Sequence, residues 1–324
     1  MPARRESDGM PDIYETMKDV FVDALVDKKT HTRNCAALFK LHCAVVCRGA
    51  TMEYGGKEGA HDFMESFLHF LGTCLTIREA RQSDLGTRFA ATYIKYLNDK
   101  VGIPGHDYLQ FYSQSRDDPA TSSAAQDLHE PAPWFTGRVL KSLLRGARLP
   151  KAQTRRRSIA DISLVLDTLG DIDARHIDDA HRILRERLGD KDKAVRQLAA
   201  TALGLHMYPE DEDALLDAMT CDPASDVRLA VVVAIPLSTK ALHCLLLRCR
   251  DDGHDIKPRK HGEPEDARVR AAAYRRLAVN TAVQDAQQIP THPDTFVEEA
   301  LDKLLSYGLN DRHLDVRKEA TKLV

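Results

Sequence analysis

At 324 residues the chain has room for one to three ordinary domains, or for one repeat array with no internal boundary. Apolar residues make up 43% and charged residues 29%, which excludes a disordered composition, and no apolar run reaches the roughly 18 residues of a membrane span. The net charge of −3 selects no class of partner, and an aromatic share of only 6% suits thin helical cores of Leu, Ala, Val and Ile.

Residues 1–10 are polar, carry no secretory apolar stretch, and are expected to form a flexible leader. Helical periodicity begins at Pro11, with Val20, Phe21, Ala24 and Leu25 on one face. A polar turn from Asp27 to Thr32 leads into a second stripe, Cys35 to Leu41. After Gly55, Gly56 and Gly59 comes a further pair, built on Phe63, Phe67, Leu68 and Leu71 and then on Phe89, Ala90, Ala91 and Ile94. Residues 11–100 thus form N-terminal helical pairs. Residues 101–133 are rich in Gly, Pro, Ser, Ala and Asp without sustained period, the pattern of a loop or disordered insertion. Periodicity resumes at Trp134 and Phe135 and continues over 134–324, interrupted by a polar inserted loop near 251–265.

Within that second half one phrase recurs: an acidic turn, then Val-Arg, then an Ala-rich apolar stripe. It begins at Asp190 with Val195-Arg196, returns at Asp222 with Val227-Arg228, and again at Asp311 with Val316-Arg317. A looser copy holds Asp266 and Val269-Arg270, and Thr32-Arg33 occupies the same place near the start. Measured at the arginine, the intervals from Arg155 are 41, 32, 42 and 47 residues, to Arg196, Arg228, Arg270 and Arg317. Helical hairpins of this length cannot bury their apolar face alone and stack on one another. The prediction is an all-α fold, an α-solenoid of about six helical pairs. Asp before a helix satisfies orphan N–H groups and complements the helix dipole, Val packs inward, and Arg reaches the Asp or a carbonyl of the adjacent repeat. That assigns these arginines to holding repeats together.

The repeats resemble HEAT repeats, and four stretches narrow the likeness. They are His176-Ile177-Asp178-Asp179 leading to Arg187-Leu188-Gly189-Asp190-Lys191, Val195-Arg196 with Ala199 to Leu203, Val227 to Val231, and Gly308-Leu309-Asn310-Asp311-Arg312 with Val316-Arg317. Together with the turn Leu237-Ser238-Thr239-Lys240, these are similar to the non-SMC condensin subunits of the CAP-G type, residues 155–324 in order and spacing and 15–100 in helix pattern only. The resemblance implies a non-enzymatic regulatory subunit of condensin acting in mitotic chromosome condensation, located in the nucleus and on chromosomes, with a cytoplasmic pool outside mitosis. It implies a CAP-H-type kleisin as direct partner, the SMC heterodimer through the complex, and double-stranded DNA. It implies no cofactor and no membrane. Members of the family are much longer, so the chain, which stops within a helical pattern at Val324, is expected to be a fragment.

Candidate binding residues cluster by sign. From 138 to 157 there are eight basic side chains and no acid: Arg138, Lys141, Arg145, Arg148, Lys151, Arg155, Arg156 and Arg157. Spacings of three and four from Arg138 to Arg148 put several on one helical face, and a phosphate backbone relieves their mutual repulsion. No aromatics are interleaved, so duplex backbone contact without sequence preference fits better than base stacking. Lys257, Arg259 and Lys260 form a second cluster in the inserted loop, either a phosphate contact or targeting patch or an ordinary solvated loop. The run Arg155-Arg156-Arg157-Ser158 also has the form of a basophilic kinase site. Seven acids and no Lys or Arg lie from Pro209 to Asp226, the composition of a solvated helix start or of a patch for a basic segment.

Seven cysteines lack metal-site spacing and are expected to be small buried apolar residues, pointing to an intracellular, reducing compartment. No phosphate-binding glycine loop, nucleophile elbow or HExxH motif occurs, and His176, His181 and His243 sit in ordinary helical contexts. Two readings compete with a DNA-gripping condensin subunit: an adaptor of the same architecture that binds only protein, its basic stripe receiving an acidic peptide, and a lyase built on similar repeats.

Overall fold

The computed structural model describes residues 12–50, 55–101, 131–168, 173–250, 264–287 and 304–323. The leader at 1–10 and most of the insertion at 101–133 and of the loop near 251–265 lie outside these residues; 131–133 and 264–265, expected as loop, begin helices. Everything described is helix and connecting turn, with no strand among the described residues. No helix among them is long and apolar enough to cross a membrane. The chain divides into two compact units, residues 1–180 and 181–324.

The first unit holds α1 (Ile13–Ala24), α2 (His31–Ala50), α3 (Gly55–Thr76), α4 (Ala80–Val101), α5 (Pro131–Gly146) and α6 (Ala152–Leu166). Asp12 starts α1 by accepting from the Tyr14 and Glu15 amides, a side-chain cap that replaces the missing intrahelical partners. Helices α1/α2, α3/α4 and α5/α6 pack as neighbours, and α4 also packs on α5 and α6. The core is not the thin aliphatic one expected from composition. Phe21, Phe63, Phe67, Phe89, Tyr93 and Phe135 are all buried together. His42 lies flat on Phe63 with ring centroids 4.1 Å apart, and its Nδ1 is 2.9 Å from the Tyr93 hydroxyl. A low average thus hides a local concentration of rings.

Helix α7 (Ala174–Leu188) runs into the second unit, which continues with α8 (Lys193–Leu205), α9 (Glu212–Cys221), α10 (Ser225–Ala234), α11 (Thr239–Arg248), α12 (Pro264–Gln287) and α13 (Leu314–Ala320). Two layers are evident here. The Val-Arg helices α8, α10, α12 and α13 pack in series, and α9 and α11 form the other layer against α10 and α12. Val195, Val227, Val269 and Val316 are wholly buried, as the repeat phrase requires. Small residues let the series approach closely: a Cβ on Gly204 would come within 2.6 Å of the Ala234 Cβ and 2.9 Å of its carbonyl carbon. This second core is the aliphatic, Ala-rich one that the composition predicted. The fold is an all-α solenoid of helical pairs.

Candidate nucleic-acid interface

The arginine of the repeat phrase has one geometry in three helices. In α8, α10 and α13 it stands four positions after the N-cap residue (Asp192, Ala224 and His313), with the acid two positions before that residue; α12 departs, starting at Pro264 with Asp266 and Arg270 both inside it. Arg196 Nη1 donates to the Asp190 carbonyl at 2.8 Å, Arg228 Nη1 to the Asp222 carbonyl at 2.9 Å, and Arg317 Nη1 to the Asp311 carbonyl at 2.6 Å. The same arginine reaches the next repeat: Arg196 holds Asp222 in bidentate fashion at 2.7 and 3.1 Å, and Arg270 holds Asp311 at 2.8 and 3.2 Å. The repeat acids do not cap their helices. Asp190, Asp222 and Asp311 instead accept from the amide two residues on, at 2.9, 2.8 and 2.8 Å, bracing the turn. Capping of α8 falls to Asp192, whose carboxylate accepts from the Ala194 and Val195 amides. Near the start the rule lapses: Arg33 is exposed and pairs with Asp23, on the preceding helix.

The basic stretch proposed for DNA separates into two groups. Arg155 and Arg157 are buried, 5% and 9% exposed, and are withdrawn from any surface stripe. Arg155 is another member of the arginine series, donating to the Leu149 and Pro150 carbonyls at 3.0 and 2.5 Å. Arg157 donates to the Leu75 and Ile77 carbonyls, closing the C-terminal end of α3. A buried guanidinium needs such acceptors, and the ends of helices and turns provide carbonyls with no helical partner. Arg138 is half-buried and pairs with Glu65 at 3.2 Å.

The remaining members face outward. Lys141 and Arg145 stand on the exposed face of α5, Arg148 and Lys151 in the α5–α6 turn, and Arg156 on α6. Lys141, Arg145 and Lys151 form no ion pair with any of the described residues. What the structure brings together is therefore a smaller patch of five cations around one helix-turn-helix. Lys257, Arg259 and Lys260 lie outside the described residues.

The acidic segment, expected to be a solvated helix start or a patch for a basic segment, divides: Asp211 and Asp222 are buried, whereas Glu210, Asp213 and Asp217 stay exposed. Asp211 is fully buried, 2.5 Å from His181 Nδ1 and 2.8 Å from Arg185 Nη1, and Tyr208 stacks flat on the His181 ring at 4.1 Å. Asp211 is thus not a solvated acid, and His181, read from the sequence as an ordinary helical residue, is buried against it. Glu212 accepts from Ser238, Asp213 pairs with Lys240 at 2.9 Å, and Asp226 takes both Lys193 and Arg268 at 3.1 and 3.0 Å. Hydrogen bonding from Lys193 holds the Asp226 carboxyl below its ordinary range.

Ser158 is wholly buried, its oxygen against the site where a Gly146 side chain would stand. The kinase-type motif is therefore closed in the folded chain. Cys35, Cys74 and Cys249 are buried free thiols, and burial pushes Cys35 and Cys74 up to about 12, far from reactive thiolates. Cys221, by contrast, is exposed.

A second surface feature has no counterpart in the sequence pattern. In the second unit α10, α12 and the start of α13 enclose an open groove of about 600 Å³, floored by Leu229, Val233, Ala271 and Ala272. Arg268 and Arg275 stand on its rim. The Val-Arg period identified the buried face of these helices. It said nothing of the opposite one.

The comparisons agree with the helical-repeat architecture. The HEAT repeats family profile matches residues 138–236, from the basic patch through α10. Condensin complex subunit 3 of Schizosaccharomyces pombe is 26% identical over 273 residues, covering 81% of this chain and 25% of the relative. The crystal structure of the S. pombe condensin Cnd3-Cnd2 subcomplex superposes with a TM-score of 0.61 at 22% identity, over 95% of this chain and 32% of that one. The chain thus spans about a quarter of the length of the curated relative it matches. Sequence and fold together make this chain a HEAT-repeat solenoid similar to a part of condensin complex subunit 3, as its Arg-Leu-Gly-Asp and Gly-Leu-Asn-Asp-Arg turns indicated.

Proposed function

We propose that this chain is a non-catalytic HEAT-repeat subunit of a condensin-type complex that holds duplex DNA by its phosphate backbone. The observation that carries the reading is the patch of Lys141, Arg145, Arg148, Lys151 and Arg156, three of which have no acidic partner among the described residues, while deeper arginines are engaged in the fold. Cations held on a rigid helix-turn-helix release counterions from a duplex without reading its sequence. Five such contacts suit modest affinity with steep salt dependence. By the resemblance, the direct partner is a CAP-H-type kleisin, and through it the SMC heterodimer. The relative's solved form, a subcomplex with a second subunit, supports that reading. The place of action is then the nucleus and the chromosome, in mitotic condensation.

The test is a salt titration. Binding to two duplexes of unrelated sequence should weaken in parallel as salt rises. The K141E/R145E/K151E variant should lower the slope of log affinity against log salt by about 3, since each phosphate contact contributes roughly 0.9. Its helical circular dichroism should match the parent. An unchanged slope would remove the patch from the mechanism. A protein-only adaptor is the second reading, favoured by the apolar groove of the second unit. Co-purification of a kleisin with SMC subunits, or of neither, separates the two.

A further inference from the structure

The groove of the second unit has a regular pattern of side chains along one wall. Along the outer face of α12 it reads Arg268, Ala271, Ala272, Arg275, spacings of three, one and three. Seven residues are two helical turns, so the two arginines leave the same face of α12 about 10.5 Å apart along its axis. Between them the alanines leave a trough, and Leu229 and Val233, one turn apart on α10, supply its facing wall. Val233 is 58% exposed, a large apolar residue kept in water.

The rim is cationic despite internal pairing. Arg268 and Arg275 are 52% and 63% exposed, whereas their acids, Asp226 and Glu319, are only 25% and 10% exposed. Each arginine holds its acid through one terminal nitrogen, at 3.0 Å, which leaves further donors of the fork directed to solvent. Pairs this exposed are weak and share readily with a second carboxylate.

We propose that this groove is a docking site for a short amphipathic helix of a partner protein, with two adjacent large apolar residues flanked by an acid three positions before and three after. Such a helix repeats the spacing of α12 with complementary chemistry: its apolar pair fills the alanine trough and its acids meet Arg268 and Arg275. Duplex DNA is a poor fit, because its phosphates gain nothing from an apolar floor. The site does not rest on the DNA reading, since it shares no residue with the basic patch.

The probe is a fluorescein-labelled, Ala/Gln-based 18-residue helix with Glu at positions i and i+7 and Leu at i+3 and i+4, read by anisotropy against the full chain. It should bind at least tenfold more tightly than a probe with Ala for both Leu, and than one with Lys for both Glu. The R268E/R275E variant should reverse the charge preference and favour the Lys probe, a result that misfolding cannot produce. A272F should abolish binding of the original probe through the filled trough, with both arginines intact. Equal binding of the three probes would overturn the proposal. So would an R268E/R275E chain that keeps its preference, or displacement of the probe by a 20-base-pair duplex equally from the parent and from the K141E/R145E/K151E variant.

Discussion

Asp161 and His42, both deep in the first unit, respond to pH in opposite directions. Burial raises the Asp161 carboxyl to about 8, only partly offset by a hydrogen bond from Thr87 and the nearby Arg157 and Arg88. Burial lowers His42 to about 3. Between about pH 4 and 8 the native Asp161 holds a proton that the unfolded chain releases, so its contribution to stability falls as pH rises. Between about pH 3 and 6.5 the unfolded chain protonates a histidine that the native core keeps neutral, so that contribution falls as pH drops. Where the windows overlap the two slopes cancel, and above pH 6.5 only the aspartate acts. Urea unfolding should therefore show stability falling from pH 6.5 to 8, by at most about 1.4 kcal/mol per pH unit from this group. Asp161→Asn should flatten that limb and gain most at pH 8. A variant that keeps the parent's slope would assign it to other groups. Nothing in the local sequence marked either residue: each looked like one more polar position on an amphipathic helix, and only packing removed it from water.

The braces between successive Val-Arg helices carry the second unit. Asp222 accepts two bonds from Arg196, one from the Ala224 amide, and through its carbonyl one from Arg228. Asp222→Ala leaves Arg196 facing an empty site and should cost about 3–5 kcal/mol by chemical denaturation. Asp222→Asn keeps the acceptor for the turn amide and should cost less. Gly204→Ala forces a methyl into the Ala234 backbone and should cost about 1–3 kcal/mol, with no ion pair touched. This architecture was legible in the chain: the acid, the Val-Arg and the alanines recur because each turn needs a brace and each crossing a small residue. Arg155 was legible too, since it stands in the same register as Arg196, and that register should have removed it from the surface stripe. Arg157 was not, because its acceptors, at the end of α3 and just beyond it, are 82 and 80 residues away in sequence. The same distance problem hid Asp211, whose partners His181 and Arg185 lie 30 and 26 residues back.

Because each unit closes its own core, one aromatic and one Ala-rich, damage in one should stay there. Hydrogen exchange of the Asp222→Ala variant should lose protection in α8, α10, α12 and α13, with α1 to α4 unchanged. Uniform loss would show one cooperative block. The solenoid class was readable from period alone, since any hairpin with an apolar stripe this narrow must lean on another. The binding surfaces were only half readable. Charge runs point to a surface, but whether a given guanidinium faces solvent depends on which carbonyls the fold leaves unpaired. The burial of Ser158 bears on any study of modification in this protein. The three arginines ahead of it form a recognisable kinase consensus, yet the hydroxyl has no route to an enzyme while the first unit is intact. A phosphate detected there would record chains caught before folding or after collapse of the α5–α6 hairpin, and its abundance would measure quality control and not signalling.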